Sequence, residues 1–214
     1  MNHKNSPIAL EGLPIILPLA ALLLLFLLLD FYRTSMVFFL LFLFTVWFFR
    51  NPDRTAPGDE KSILSPADGK VLKVEELVED EILHRKVKKV SIFMNIFNVH
   101  VNRVPTSGTV RKIRYTPGKF LSANLDKASS LNERSALLVE GHDGTEIMTT
   151  QIAGLIARRI VCWVKEGMAV ERGERFGLIR FGSRLEVFMP PDTRVAVDKG
   201  DRVRAGETVI GYLP

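Results

Sequence analysis

Three observations predict a mainly β domain of the barrel-sandwich-hybrid kind behind an N-terminal hydrophobic α-helical hairpin. Alternating apolar and polar residues recur along most of the chain, glycine and proline punctuate them often, and two uncharged apolar runs are confined to the part before Asn51. A chain of 214 residues suffices for one packed domain plus an appendage. The division expected is a membrane-anchoring hairpin over residues 1–50, a linker over 51–62 and the β domain over 63–214.

The hairpin comes first. Residues 13–29 carry no charge and include Pro14 and Pro18; Asp30, Tyr32 and Arg33 then interrupt the run. Residues 36–49 form a second run rich in phenylalanine, with Trp47 near its end, where an amphipathic ring favours the membrane interface. A spanning helix needs about 20 apolar residues, so the first run is marginal and the second short. They either cross as a tight hairpin or dip in as a re-entrant anchor. A cleaved signal peptide fits less well, because no small-x-small site follows the first run and a second apolar run follows at once. Lys4 precedes the first run, and Arg50, Arg54 and Lys61 follow the second, whereas the loop between them has only Arg33 balanced by Asp30. The positive-inside rule then puts both ends, and the β domain, on the cytoplasmic side.

Pro52, Pro57 and Gly58 break the linker. Strands are expected at residues 69–74, 88–97, 110–115, 136–140 and 145–152, with room for a short helix over 125–133. One internal repeat stands out. Val164-Lys165-Glu166-Gly167, followed by Val170 and Gly173-Glu174, is matched by Val197-Asp198-Lys199-Gly200, followed by Val203 and Gly206-Glu207. Each copy reads as strand, glycine turn, strand, as in the barrel-sandwich domains of biotinyl and lipoyl carriers, and predicts a pseudo-symmetric β-sandwich. Neither copy has the Met-Lys-Met-like or Asp-Lys-Ala-like tip that a carrier modifies.

Composition bounds the function classes. Cys162 is the only cysteine, which excludes an intramolecular disulfide scaffold. The net charge of +5 comes from Arg50 onward and suits an anionic membrane surface. Nucleic acid is not the expected partner, since there is no zinc-finger spacing, aromatic RNA-binding signature or arginine tract. No metal is expected.

The chemistry-bearing residues fall in the order Asp68, His100, Ser183. Asp68 sits in Ser65-Pro66-Ala67-Asp68-Gly69, a turn into a strand, and would be an ordinary Asp-Gly turn if it stood alone. His100 ends the strand-like run Ile96-Phe97-Asn98-Val99-His100-Val101. His3 lies in a tail, His84 in a basic hairpin face and His142 in a glycine turn. Ser183 follows Gly182 in Phe181-Gly182-Ser183-Arg184. Because Gly182 lacks a Cβ, its backbone can bend so that the Ser183 hydroxyl reaches the carbonyl before it. A hydroxyl, a base and an acid allow two chemistries: a serine hydrolase, or autoprocessing in which the hydroxyl attacks its own backbone. Gly-x-Ser-x-Gly is absent around Ser183, which disfavours a nucleophile elbow. A non-catalytic barrel-sandwich adaptor remains a third reading.

Taken together, the motifs resemble those of the phosphatidylserine decarboxylase family, in its short, membrane-anchored bacterial form. The resemblance is carried by Phe48-Phe49-Arg50-Asn51-Pro52-Asp53-Arg54, Ser65-Pro66-Ala67-Asp68-Gly69, Phe97-Asn98-Val99-His100-Val101-Asn102-Arg103-Val104-Pro105, Tyr115-Thr116-Pro117-Gly118, Asn132-Glu133-Arg134, Gln151-Ile152-Ala153-Gly154 and Arg180-Phe181-Gly182-Ser183-Arg184. It implies an inner-membrane enzyme that makes phosphatidylethanolamine from phosphatidylserine through a Schiff base with a covalent pyruvoyl group. That group would arise from Ser183 on self-cleavage after Gly182, with Asp68 and His100 assisting proton transfer. The products would be a β chain, residues 1–182, and an α chain, residues 183–214, held together as a heterodimer; exposed sandwich edges leave a dimer of these open. Asn132, Glu133 and Arg134 would bind substrate. Two departures from the family pattern are visible: Phe-Gly-Ser-Arg replaces the common Leu-Gly-Ser-Thr, and Arg103 occupies the place of a second histidine. The runner-up is a membrane-anchored hydrolase using Asp68, His100 and Ser183.

Overall fold

A computed structural model describes residues 6–155, 159–180 and 182–214, so His3, Lys4 and Phe181 lie outside the described residues. The chain divides into two compact units, Met1–Asp53 and Arg54–Pro214.

The first unit is an antiparallel helix pair, α1 (Leu13–Leu28) and α2 (Tyr32–Phe48). Pro14 lies in the first turn of α1, where its missing N–H costs nothing, and Pro18 is carried inside the helix. Asp30, at φ 61°, makes the tight reversal and accepts a hydrogen bond from the Tyr32 hydroxyl at 2.7 Å. Helix α2 starts earlier than the apolar run alone implies. Ser35 and Thr45 turn their hydroxyls onto the carbonyls of Phe31 and Leu41, so they sit in the helix without unpaired groups. Phe26 stacks on Phe38 at 5.2 Å between the helices, and the Ala9 N–H to Phe49 carbonyl bond at 2.8 Å closes the open end. Among the described residues one helix, Leu10–Leu28 with its leading turn, is long and apolar enough to cross a membrane by length and composition; Tyr32–Phe48 is shorter.

The second unit is mainly β, as its alternation requires. Its strands are β1 (Ser62–Leu64), β2 (Gly69–Glu79), β3 (Arg85–Met94), β4 (Val101–Arg103), β5 (Gly108–Thr116), β6 (Arg134–Glu140), β7 (Glu146–Ala153), β8 (Ile160–Cys162), β9 (Ala169–Val170), β10 (Arg175–Ile179), β11 (Ser183–Met189), β12 (Arg194–Val195), β13 (Arg202–Val203) and β14 (Val209–Tyr212). A single helical turn, α3 (Ala128–Leu131), occupies the place expected for the short helix. An eight-stranded sheet runs β13-β2-β3-β11-β7-β6-β5-β9, beside two three-stranded sheets, β1-β14-β12 and β4-β10-β8.

The repeat is visible in the backbone. Its glycines Gly167, Gly173, Gly200 and Gly206 all have positive φ, and its strands β9 and β13 cap opposite ends of the large sheet.

Strand β11 lies at the centre of that sheet, antiparallel to β3 on one side and β7 on the other, with Ser183 opposite both Met94 and Ala153. Strand periodicity splits its side chains between two faces. Ser183, Leu185, Val187 and Met189 face the main core with Val90, Ile92, Met94, Ala153 and Phe176, and Leu185, Val187 and Met189 are fully buried there. Arg184, Glu186 and Phe188 face the other side, where Phe188 packs with Val87, Leu138 and Met148.

One expected strand ends early. Residues 95–98 form a turn in which the Asn95 N–H donates to Asn98 Oδ1 at 2.9 Å and the Phe97 N–H to Asn95 Oδ1 at 2.8 Å. These asparagine side chains replace ladder partners, and apolar flanks masked the turn in the sequence.

Candidate active site

The site is built where β11 begins. Ser183 is the first residue of the strand and is wholly buried. Gly182, at φ +69°, turns the chain into it through a conformation that glycine adopts without penalty. The Gly182 N–H donates to His100 Nε2 at 3.3 Å. His100 stands immediately before β4, is 2% exposed, and has Nδ1 3.0 Å from the Asn98 carbonyl. The carbonyl can only accept, so the proton sits on Nδ1 and the lone pair on Nε2 faces the Gly182 backbone.

The Ser183 hydroxyl donates to Met94 Sδ at 3.3 Å. A thioether is a weak acceptor, so the nucleophile is oriented without being held strongly. Gly154, next beyond Ala153, packs directly against the bond before Ser183: a Cβ added there would lie 2.2 Å from the Gly182 oxygen. Asn132 is buried and braces the same place. Its Nδ2 donates to the Ala153 and Leu121 carbonyls at 2.8 Å each, and its Oδ1 accepts from the Leu121 N–H at 3.0 Å.

The other expected residues are engaged elsewhere. Asp68 accepts from both Arg54 Nη atoms at 2.9 Å and from the Ala205 N–H at 2.9 Å. It thereby ties the start of the second unit to the C-terminal repeat turn rather than orienting His100. Arg103, in the second-histidine position, donates to the Gly173 carbonyl at 2.7 Å, and Gly206 lies against its stem, so it links the two repeat turns. Glu133 receives the Tyr115 hydroxyl; burial and this carboxylate hold that hydroxyl above its ordinary pKa. Arg134 donates to Ser130 and to Glu81 at 2.9 Å, on the face opposite Ser183, in a groove it shares with Arg114 and Phe188. Of the three residues expected to bind substrate, the structure brings Asn132 to Ser183 and directs Arg134 away from it.

This arrangement does not support the hydrolase alternative. A Ser–His–Asp chain needs the hydroxyl on the imidazole and the imidazole on the carboxylate. Here the hydroxyl meets sulfur, the imidazole meets a backbone N–H, and the carboxylate meets arginine. Cys162 is a poor rival nucleophile, because burial pushes its thiol up. Among the described residues no cluster of histidine, cysteine and carboxylate side chains could hold a metal ion.

Sequence reasoning missed several contributors. Arg54 lies in a recognisable motif, but nothing local points it at Asp68. Met94, Gly154 and the buried Arg184–Glu186 pair, 2.8 Å apart and bonded to Ser91, become visible only through register. That pair anchors the first turn of β11 on its outer face.

The family model for phosphatidylserine decarboxylase matches residues 41–211. The chain is 59% identical over 216 residues to the phosphatidylserine decarboxylase proenzyme of Syntrophus aciditrophicus, covering 99% of each chain. It is 49% identical over 220 residues to the proenzyme of the same name from Pelobacter propionicus, and 44% over 213 to that from Desulfotalea psychrophila, in both cases over the whole of each chain. With Gly182, Ser183 and His100 all inside the matched residues, the chain belongs to the phosphatidylserine decarboxylase family.

Proposed function

We propose that this protein decarboxylates phosphatidylserine to phosphatidylethanolamine, using a pyruvoyl group that it makes from its own Ser183. The observation that carries this reading is the contact of His100 Nε2 with the backbone of Gly182, at a positive-φ glycine followed by a buried serine.

Self-cleavage follows from the groups present. Ser183 Oγ adds to the Gly182 carbonyl carbon and gives up its proton, which His100 Nε2 takes. The Gly182 C–N bond breaks as that proton passes to the Ser183 nitrogen, leaving an ester in the main chain. Loss of the Ser183 Cα proton then breaks Cβ–Oγ, and Gly182 departs as a carboxylate. Water replaces nitrogen at Cα, ammonia leaves, and a ketone remains at residue 183. The residues present fit that group: the position is small, enclosed by Met94 and Ala153, and its one hydroxyl partner is weak enough to lose. Once formed, the ketone supplies the electron sink that decarboxylation of an amino acid requires and that side chains lack. His100, once it has taken up a proton on Nε2 from water, would give that proton to the carbon that loses the carboxylate. Cleavage also frees the Gly182 end, which supports access to a residue that is buried in the intact chain.

The central place of β11 supports a stable heterodimer of residues 1–182 and 183–214. The smaller chain keeps β3 and β7 as neighbours, and β13 and β14 remain in their sheets. Helix Leu10–Leu28 supports attachment to the inner membrane, which leaves the lipid tails in the bilayer, and the basic residues after α2 support a cytoplasmic β domain. The test is intact mass spectrometry paired with turnover of phosphatidylserine vesicles. Two chains are expected, the smaller lighter than unmodified residues 183–214 by the mass of ammonia, together with release of carbon dioxide. A single full-mass chain, or a cleaved one that leaves phosphatidylserine untouched, overturns the reading.

Asp68 has a positioning part in this scheme. Removing its carboxylate by Asp68→Ala leaves Arg54, whose side chain is 8% exposed, to the Ala205 carbonyl and the more distant Glu207, and is expected to destabilise the uncleaved chain by about 3 kcal/mol in denaturant titration. Unchanged stability with cleavage lost would instead make Asp68 a direct proton carrier.

A further inference from the structure

Two buried amides next to Ser183 have no role in the scheme above. Asn102 on β4 is wholly buried, Gln151 on β7 is 1% exposed, and both face the main core. Gln151 Nε2 donates to Asn102 Oδ1 at 2.8 Å. That bond turns Asn102 Nδ2 toward Met94 Sδ, 3.7 Å away, the same sulfur that receives the Ser183 hydroxyl at 3.3 Å. The opposite orientation of the two amides would point an oxygen at the sulfur, with no donor between them. A buried amide N–H held only by a thioether is uncommon, because apolar side chains would fill the space at lower cost.

Resting on the self-cleavage reading, we propose that Asn102, aimed by Gln151, is a positioning residue for the formation of the group at Ser183. Methionine has three rotatable bonds and does not hold one shape unaided. The Asn102 N–H pins the Met94 sulfur, and the pinned sulfur fixes the rotamer of the Ser183 hydroxyl. The grip on the hydroxyl is directional yet weak, so the oxygen is placed and still free to give up its proton. Gln151 determines which end of Asn102 meets the sulfur, and so acts three hydrogen bonds removed from the nucleophile.

Gln151→Glu tests this with almost no change of shape. Burial raises a carboxyl at this position well above its ordinary range, so the comparison starts at alkaline pH, where the ionised carboxylate cannot donate to Asn102 Oδ1. Asn102 then turns its N–H toward the new side chain and its oxygen toward the sulfur. Self-cleavage, followed on gels during cell-free synthesis of the full chain with lipid vesicles present, is expected to slow by about tenfold to a hundredfold. As the pH is lowered the introduced carboxyl gains a proton and can donate again, so the rate divided by the wild-type rate at each pH should recover. A core-filling role would not produce that recovery. Met94→Leu removes the acceptor and should slow cleavage at every pH. Adding Gln151→Glu to it should cost little more, because both act along one chain of contacts. A wild-type protein that never cleaves overturns the self-cleavage reading and this inference with it. A wild-type protein that cleaves, with Gln151→Glu cleaving at the same rate or at a pH-independent fraction of it, overturns this inference alone.

Discussion

Ser183→Ala is expected to leave one uncleaved chain that releases no carbon dioxide from phosphatidylserine. The substitution removes the only atom that can add to the Gly182 carbonyl from within the strand, so the ester, and everything after it, cannot form. The effect on folding should be small. Among the described residues Ser183 Oγ makes one hydrogen bond, to the Met94 sulfur, and a bond of that kind contributes no more than about 1 kcal/mol. The expected combination is therefore total loss of processing in a protein whose thermal transition barely moves. Intact mass and a thermal melt of the same preparation check both halves. Cleavage at the wild-type position in this variant would remove Ser183 from the chemistry altogether.

Gly154→Ala is expected to slow self-cleavage by about a hundredfold while Ser183 and His100 remain in place. The added methyl would meet the Gly182 oxygen at 2.2 Å and the Gly182 carbonyl carbon at 3.0 Å, and Ala123 at 3.3 Å closes the way out. The obstacle is backbone, not the end of a flexible side chain, so the strands must separate or the Gly182 carbonyl must turn. A displacement of about 1 Å at a reacting atom costs on the order of 10²-fold in rate. Overpacking of this kind costs about 1–3 kcal/mol in stability, which a thermal melt would register. The time course of chain splitting, measured on protein that is still folded, decides the matter. Wild-type kinetics would show that Gly154 merely fills space.

Both variants concern the same bond, but they differ in how far the sequence alone points to them. Ser183 and Gly182 are legible because they are adjacent and sit in a family motif. His100 is legible as a motif residue, and its contact with Gly182 then supports its part in the chemistry. Gly154 lies in a family motif that gives it no role, because its importance depends on which residue lies across from it in the next strand. Asn132, Glu133 and Arg134 are consecutive, but Asn132 closes the turn of α3 and only Arg134 belongs to β6, so their side chains reach different surroundings: Asn132 to Ala153, Glu133 to Tyr115, Arg134 to Glu81. Consecutive residues in a motif therefore need not share a site. Asp68 and Arg54 form a pair that neither local pattern announces, since the Arg54 side chain reaches over to the C-terminal repeat turn as well, where it bonds the Ala205 carbonyl.

By itself the sequence determined what depends on short range. Period-two alternation specified the β class, uncharged length specified the apolar helices, and paired glycines specified the repeat turns that the backbone adopts. Tertiary structure alone decided what depends on register. Only the pairing of β11 with β3 and β7 puts Met94 beside the Ser183 hydroxyl and Gly154 against the Gly182 carbonyl. The physical reason is that a side chain's face follows from its own strand, whereas its neighbour follows from the offset between strands far apart in the chain. Local patterning restricts that offset, and the packing of the whole core selects it.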